Sequence, residues 1–506
     1  MKRTLLFALA VTGLAANAQA ADMPGLGAIP FTNPAEFKDP LPDSLTFYGV
    51  TFFAIVDVGY AYQTNGRPLG NVVSTLEFSP FTTTRNYTGQ HISTIAGNGL
   101  SQSIIGVKWD EAMGLGWNFL GRADTGIDPM TGRLSDGCSS FVVNAGLTYT
   151  AQNSNADSGR CGQAFNGQLY AGVSNTQFGR LTIGRQNSFQ LDAIGVFDPL
   201  QLSYAFSLLG YSGTDGGSGS TEAARWDNSA KYVFEYGPAS GGAMYSQGGS
   251  GTGFFGSAYA FFLAVNYQGF AAEGTFSKEH GAVNLQSAVN DTTGNPNLAA
   301  NISDDTEWGI MAKYTFEFGG SSAPSPLVTK EAKPAHGDLL TFYAGYTNVK
   351  NENPQTPIHF GDAAGNYPLL VGPNNFGTIV PDNDAFTTPK VLQFVWTGAK
   401  YELPWALSFT AAYYHVNQNS YVADGAACTA GGASKSQCAG TYDQGSFLVD
   451  YAFTKHFDVY AGITYAIVKN GLASGFPGTP GAKFGFAGAG TSVNTAAMMT
   501  GLRVKI

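Results

Sequence analysis

Between Arg225 and Tyr236 the side chains take turns. Trp226, Tyr232, Phe234 and Tyr236 fall on one parity, and Arg225, Asp227, Ser229, Lys231 and Glu235 on the other. A period of two marks a β-strand with one apolar and one ionic face. The alternation recurs, less cleanly, in Leu45 to Tyr62 (with a slip of register near Phe52-Phe53), Ser103 to Asp110, Trp117 to Asp124, Leu169 to Ser174 and Phe178 to Gln186. It continues in Gly241 to Gln247, Ala258 to Tyr267, Phe270 to Ser277, Thr306 to Phe318, Leu339 to Val349, Lys390 to Tyr401, Ala406 to Val416, Ser446 to Phe453, Asp458 to Val468 and Val493 to Ile506. The pattern predicts about sixteen strands, an even number, joined alternately by short turns and long Gly/Asn/Ser/Asp-rich loops. The Pro/Lys-rich stretch Gly319 to Gly337 is the exception, long for its place in that rhythm.

Which face meets water is decided by composition. The chain has 506 residues with 66 glycines, 25 tyrosines and 36 phenylalanines but only 12% charged residues, which is poor material for a soluble globule. It suits an all-β transmembrane antiparallel barrel with an apolar lipid face and a polar lumen. Met1 to Ala20 has the charged, apolar and small-residue order of a secretory signal. The five prolines between Ala21 and Ser44 predict an extended periplasmic lead at 21–44, with the barrel itself at 45–506. Past the signal no apolar run of about 18 residues offers a transmembrane helix. The formal net charge of −10, or −12 without Lys2 and Arg3, excludes nucleic acid as a natural partner, since that would need a basic footprint.

One connection does not fit a solvent loop. Asn187 to Ala223 opens with apolar residues mixed with Asp192 and Asp198 and ends in a Gly/Ser run. A structureless stretch of that length is uncommon in a compact fold and usually functional, so we expect it to fold into the barrel and narrow it. Lys108, Arg122, Arg180, Arg225 and Lys231 fall on polar parities. A lipid-facing Arg or Lys at mid-bilayer would cost roughly 2 to 4 kcal/mol, which assigns them to the lumen. Arg185 shares parity with Leu181 and Ile183; at the strand end a bulge can turn it inward.

Cys138 and Cys161 lie in one polar segment and Cys428 and Cys438 in another. An even count in an exported chain predicts disulfides, here one within each pair, with three connectivities formally open. No CxxC spacing points to a metal, and no cofactor motif is present: Gly114-x-Gly116 has Phe119 at the third position. Among six scattered histidines only His415, beside Asn417 in a strand, offers a barrel enzyme built with a serine.

In order along the chain, several segments carry a family pattern: Val56-Asp57-Val58-Gly59, Ile105-Gly106-Val107-Lys108, Asp124-Thr125-Gly126, Leu169 to Ser174, Phe178 to Gln186, Asp198-Pro199 and Arg225-x-Asp227-Asn228-Ser229-x-Lys231-Tyr232. On these residues the chain resembles the general porins of Gram-negative outer membranes. The resemblance is sharpest from Leu45 to Tyr245. It implies an outer-membrane homotrimer in lipid, with a water-filled channel for passive diffusion of small hydrophilic solutes and ions, and no cofactor. It also makes Asn187 to Ala223 an inward-folded third loop. Asp192 and Asp198 would then face Arg122, Arg185 and Arg225 across a constriction that Arg180, Asp227 and Lys231 also line. The chain departs from the pattern at Ile104, where the family usually has arginine, and at Ile506, where it usually has phenylalanine. Three alternatives remain: a substrate-specific channel, suggested by Phe197, Tyr204, Phe206 and Tyr211; an outer-membrane barrel enzyme; and an adhesin with a plugged lumen.

Overall fold

The computed structural model describes residues 45–64, 91–130, 132, 134, 164–210, 225–247, 256–284, 299–318, 337–357, 380–383, 386, 388–420, 439–470 and 492–506. Sixteen antiparallel strands close on themselves. They are β1 (Val50–Gln63), β2 in two pieces (Ile92–Gly97 and Ile104–Gly114), β3 (Trp117–Gly126), β4 (Leu169–Asn175), β5 (Gly179–Asn187), β6 (Arg225–Tyr236), β7 (Ala239–Ser246) and β8 (Ala258–Tyr267). There follow β9 (Phe270–Asn284), β10 (Ala299–Phe318), β11 (Asp338–Glu352), β12 (Lys390–Glu402), β13 (Leu407–Gln418), β14 (Gly440–Thr454), β15 (Phe457–Asn470) and β16 (Ser492–Lys505). Among the described residues a single helix, α1 (Phe189–Phe197), follows β5. The signal, the lead at 21–44 and all four cysteines lie outside the described residues.

Alternation does what the sequence promised on most walls. On β8, Phe261 and Leu263 are 50% and 71% exposed while the alternate residues Ala260 and Phe262 are buried. On β9 the buried parity is polar, with Glu273, Thr275, Ser277 and Glu279. Such a wall has an outside that lipid can wet and an inside that it cannot. About 9 to 11 tilted residues cross a bilayer, so β10, at 20 residues, runs on beyond it. Its first seven residues, among them Asn301, Ser303, Asp304 and Asp305, look like loop in the sequence, and the start expected at Thr306 is corrected to Ala299.

Three further corrections have physical causes. The slip expected near Phe52-Phe53 is absent. Instead Thr46–Phe47 folds back on Val50 and Thr51 through a tight turn, with Tyr48 and Gly49 at positive φ, and Phe53, Ile55, Asp57, Ala61 and Gln63 keep one buried parity. The piece Ile92–Gly97 is a strand that the sequence did not announce; the chain leaves the sheet at 98–103 and returns as Ile104–Gly114. Trp226 does not share the lipid face with Tyr232 and Phe234: it is 2% exposed. Between β5 and β6 Gly184 pairs with Ser229 but Gln186 with Trp226, so β6 carries an extra residue there, and Asn228 takes φ 49°. An extra residue reverses the parity beyond it.

The barrel closes between β1 and β16, where Ala54 and Ile506 exchange both backbone hydrogen bonds at 2.9 Å. Inside this seam Arg503 donates from Nε and Nη2 to Asp458 at 3.0 and 2.8 Å, and Lys505 reaches the same carboxylate at 2.6 Å. Asp57, the register partner of Arg503, accepts from Tyr460 Oη at 2.7 Å and from the amides of Leu100 and Ser101 at 2.7 and 2.9 Å. The excursion 98–103 is thus tied to the wall beside the seam.

Candidate functional site

Helix α1 begins where Ser188 caps it, its hydroxyl accepting from Leu191 N at 3.2 Å, and Asp192 in the first turn suits the positive end of the helix dipole. Phe189, Gln190, Ala193, Ile194, Gly195, Val196 and Phe197 are all buried, leaving Leu191 and Asp192 half-buried. A helix covered nearly all round is a packed element, not a surface one.

Two lysines hold its ends to the wall. Lys231 on β6 pairs with Asp192 at 2.5 Å, donates to Asn187 O at 3.0 Å and lies 4.6 Å from the centre of the Phe189 ring. Lys313 on β10 donates to Val196 O at 3.4 Å and lies 5.7 Å from the Phe197 ring centre, a cation at the negative end of the dipole.

Beyond the helix the chain runs along strands far ahead in sequence. Trp396 Nε1 on β12 donates to Phe197 O at 3.0 Å, and Tyr414 Oη on β13 donates to Asp198 at 2.6 Å. On β14, Gln444 Nε2 and Ser446 Oγ both donate to Phe206 O, at 2.8 and 2.6 Å. The Phe206 ring meets Tyr460 of β15 edge-on at 6.2 Å. Finally the Ser203 hydroxyl and the Ala205 amide donate to Gly99 O at 2.6 and 3.0 Å, and Tyr204 Oη to Gln102 Oε1 at 3.3 Å. Two glycines make room for this course. A Cβ on Gly398 would stand 2.6 Å from Pro199, and one on Gly462 would stand 2.6 Å from the Phe206 ring.

The buried parities that receive this segment carry an apolar patch. Val349, Leu392, Phe394, Trp396, Tyr414, Val416 and Tyr442 pack with Phe197, Leu200, Phe206, Leu208 and Leu209 in one cluster. A polar lumen all round was expected; on β11 to β14 part of the inward face is apolar, because protein and not water covers it.

The eight residues expected at the constriction separate into local pairs. Arg122 is buried, pairs with Asp124 at 2.5 Å and stacks over Phe53 at 4.7 Å. Arg180 is half-buried, as is Arg225. Arg185 lies in the β5–β6 bulge and bonds Asp227 at 2.6 Å and the carbonyls of Gly167 and Asn166 at 3.1 and 3.2 Å. Lys231 meets Asp192. Asp198 is fully buried and bonded to Tyr414 and to the amides of Leu200 and Leu202, so the structure does not bring it to an arginine. Burial pushes its carboxyl above the usual range, more than these bonds pull it down. Sequence reasoning missed Lys313, Trp396, Tyr414 and the excursion 98–103, and only the inward parity of Trp396 beside Phe394 could have hinted at them.

Among the described residues no group of three or more His, Cys, Asp or Glu side chains is set to hold a metal ion. His415, the residue considered for a hydrolase, bonds Asp443 at 2.8 Å on the parity opposite buried Tyr414 and Val416.

No curated protein sequence matches the chain. Among solved structures, an anion-selective porin from Comamonas acidovorans is 14% identical, with a TM-score of 0.50, covering 90% of this chain and 99% of its own. A loop-deletion mutant of OmpT, an outer membrane protein of Vibrio cholerae, is 13% identical with a TM-score of 0.50 over 90% of this chain and 99% of its own. At such identity the likeness is one of fold. The sequence model of the Gram-negative porins matches residues 6–471, and with a closed sixteen-stranded barrel beneath that match, the chain belongs to the Gram-negative porin family.

Proposed function

We propose that this outer-membrane porin passes small hydrophilic solutes and ions by passive diffusion, without turnover, through a lumen narrowed by an inward-folded connection between β5 and β6. The observation that carries this reading is the pair of hydrogen bonds from Trp396 and Tyr414 to Phe197 and Asp198. Both donors have lumen-facing parity on strands remote from β5. The segment from Asn187 to Leu209 then acts as a collar along the wall from β6 to β15, meeting the excursion 98–103. The open side of the passage is the β2–β5 wall, with Lys108, Tyr170 and Arg180 half-buried along it. On the collar side Leu191, Asp192, Leu202 and Tyr204 keep partial exposure.

A substrate-specific channel has less support, since Phe197 and Phe206 are buried; Tyr211 lies outside the described residues, and of the three described aromatics Tyr204 alone is left to touch a solute. Trimeric assembly is proposed on the family resemblance. Planar-bilayer recording decides the main reading: stepwise ohmic conductance of the purified protein is expected. A sealed barrel, or hydrolysis of lipid or ester substrates without conductance, would instead favour the adhesin or the enzyme.

A further inference from the structure

Where the collar meets the excursion 98–103 it makes a strained turn. Gln201 and Leu202 both take positive φ, 52° and 57°, a region that costs energy for any residue with a Cβ. The turn sets Leu202 and Tyr204, both partly exposed, at the edge of the passage. It is held from two sides. Asp198 accepts from the Leu202 amide at 2.7 Å. On the other side Gly99 O accepts from the Ser203 hydroxyl and the Ala205 amide, and Gln102 Oε1 accepts from Tyr204 Oη. This clasp ties the collar's edge to the wall.

The excursion is itself held by one residue of β1. Gly97 pairs with Val58 and Ile104 with Ile55, so residues 98–103 bridge a step that β1 makes with Val56 and Asp57 alone. Asp57 takes both ends of the excursion and its middle. Its backbone carbonyl accepts from Asn98 N at 2.8 Å, its amide donates to Ser103 Oγ at 3.0 Å, and its carboxylate accepts from the amides of Leu100 and Ser101 and from Tyr460 Oη. The Tyr460 hydroxyl lies against Gly99, where a Cβ would collide with it. The carbonyl that clasps the collar therefore rests on a ring that Asp57 orients. Asp57 is fully buried and is not part of the passage lining.

We propose that Asp57 is a positioning residue for the aperture: it sets the width of the passage from within the wall, by fixing the excursion to which the collar's edge is clasped. The role rests on the diffusion reading, since an aperture matters only where solutes pass. Without the carboxylate the amides of Leu100 and Ser101 are left unpaired in a buried place, which is costly, so the excursion rearranges and Gly99 O moves. The turn at Gln201 and Leu202 then relaxes. Phe206, Leu208 and Leu209 are packed behind it, so the freed edge moves into the passage and narrows it.

The test uses the full-length protein in liposomes and planar bilayers, with neutral sugars as probes so that charge selectivity does not enter. In Asp57→Ala the flux of a trisaccharide relative to a monosaccharide should fall about twofold or more, the low end of what residues acting on a site from a distance contribute, and open-channel noise should rise. Asp57→Asn should stay near the wild type although its charge is gone: Oδ1 can accept from the two amides while Nδ2 donates to Tyr460 Oη. Ser203→Ala with Gln102→Ala removes clasp bonds and leaves the seam whole, so it should lower the ratio in the same direction even where Asp57→Ala fails to fold. A ratio that is unchanged or raised in folded Asp57→Ala, or unchanged in the Ser203 and Gln102 pair, overturns the assignment. An equal fall in Asp57→Asn and Asp57→Ala also overturns it, because charge and not position would then set the aperture. A wild type that conducts while its variants keep the ratio sinks this role alone; a wild type that does not conduct sinks the diffusion reading.

Discussion

Asp198 and Asp192 sit six residues apart and do opposite work. Asp198, withdrawn from water, has its carboxyl pushed up by burial while Tyr414, Ser207 and the amides of Leu200 and Leu202 bond it. A raised folded value means that folding favours the protonated form. The stabilisation is complete below the unfolded value near ~3.9 and is lost as pH rises through the folded one. Asp198→Asn, always neutral, should therefore gain thermal stability relative to the wild type between about pH 3.5 and about pH 7. Calorimetry in detergent that found the same difference at both ends would assign the ionisation elsewhere. Asp192 by contrast stays half-buried, and its charge is met by Lys231 at 2.5 Å. Lys231→Ala leaves that carboxylate facing the passage with its cation gone, so the reversal potential in a salt gradient should move toward cation preference. An unchanged potential in folded protein would mean that ions do not pass near Asp192. At Arg185 the partners are Asp227 and two carbonyls, so Arg185→Ala should cost about 2 kcal/mol of stability, the scale of hydrogen bonds to a charged group, and alter selectivity less than Lys231→Ala. Thermal melts and reversal potentials measured together separate the two effects.

Elements were legible to different degrees. Strands betray themselves through a local period, and β6, β8 and β9 could be drawn from the sequence. A bulge is a single inserted residue, and Trp226 shows its cost: parity alone assigned it to lipid, whereas the extra residue before Ser229 turns it inward. Beside β10, whose polar start reads as loop, this is the limit of period-two reasoning. The collar was legible only as an anomaly of length and composition, because its partners lie elsewhere; Tyr414 is 216 positions from Asp198. Nothing local to 187–209 names Trp396. Removing that side chain tests the element directly. Trp396→Ala takes away a fully buried ring and the donor to Phe197 O, and should destabilise by about 3 to 5 kcal/mol. Because the wall itself is held by backbone ladders, proteolysis within 198–210 should appear before any loss of strand signal in circular dichroism; simultaneous loss would mean that collar and wall unfold as one.

At the scale of the molecule, stability depends on the seam. Removing Arg503 strands Asp458, 1% exposed, beside Lys505 alone, and breaking a buried pair in this way costs about 3 to 5 kcal/mol. Heat-modified gel mobility of Arg503→Ala should therefore shift at lower temperature than the wild type, while Lys350→Ala, an exposed pair, should leave it unchanged. The collar's course also bears on the order of events. Beyond the helix its docking sites are the inward faces of β12 to β15 and the excursion 98–103 at the seam, so they exist as one surface only after the last strand has met the first. An unfinished sheet would leave Phe197, Phe206 and their companions without a dry place to go. The aperture is thus a product of closure and not a part carried in beforehand, and a barrel caught before its ends meet would leak without discrimination until the moment it seals.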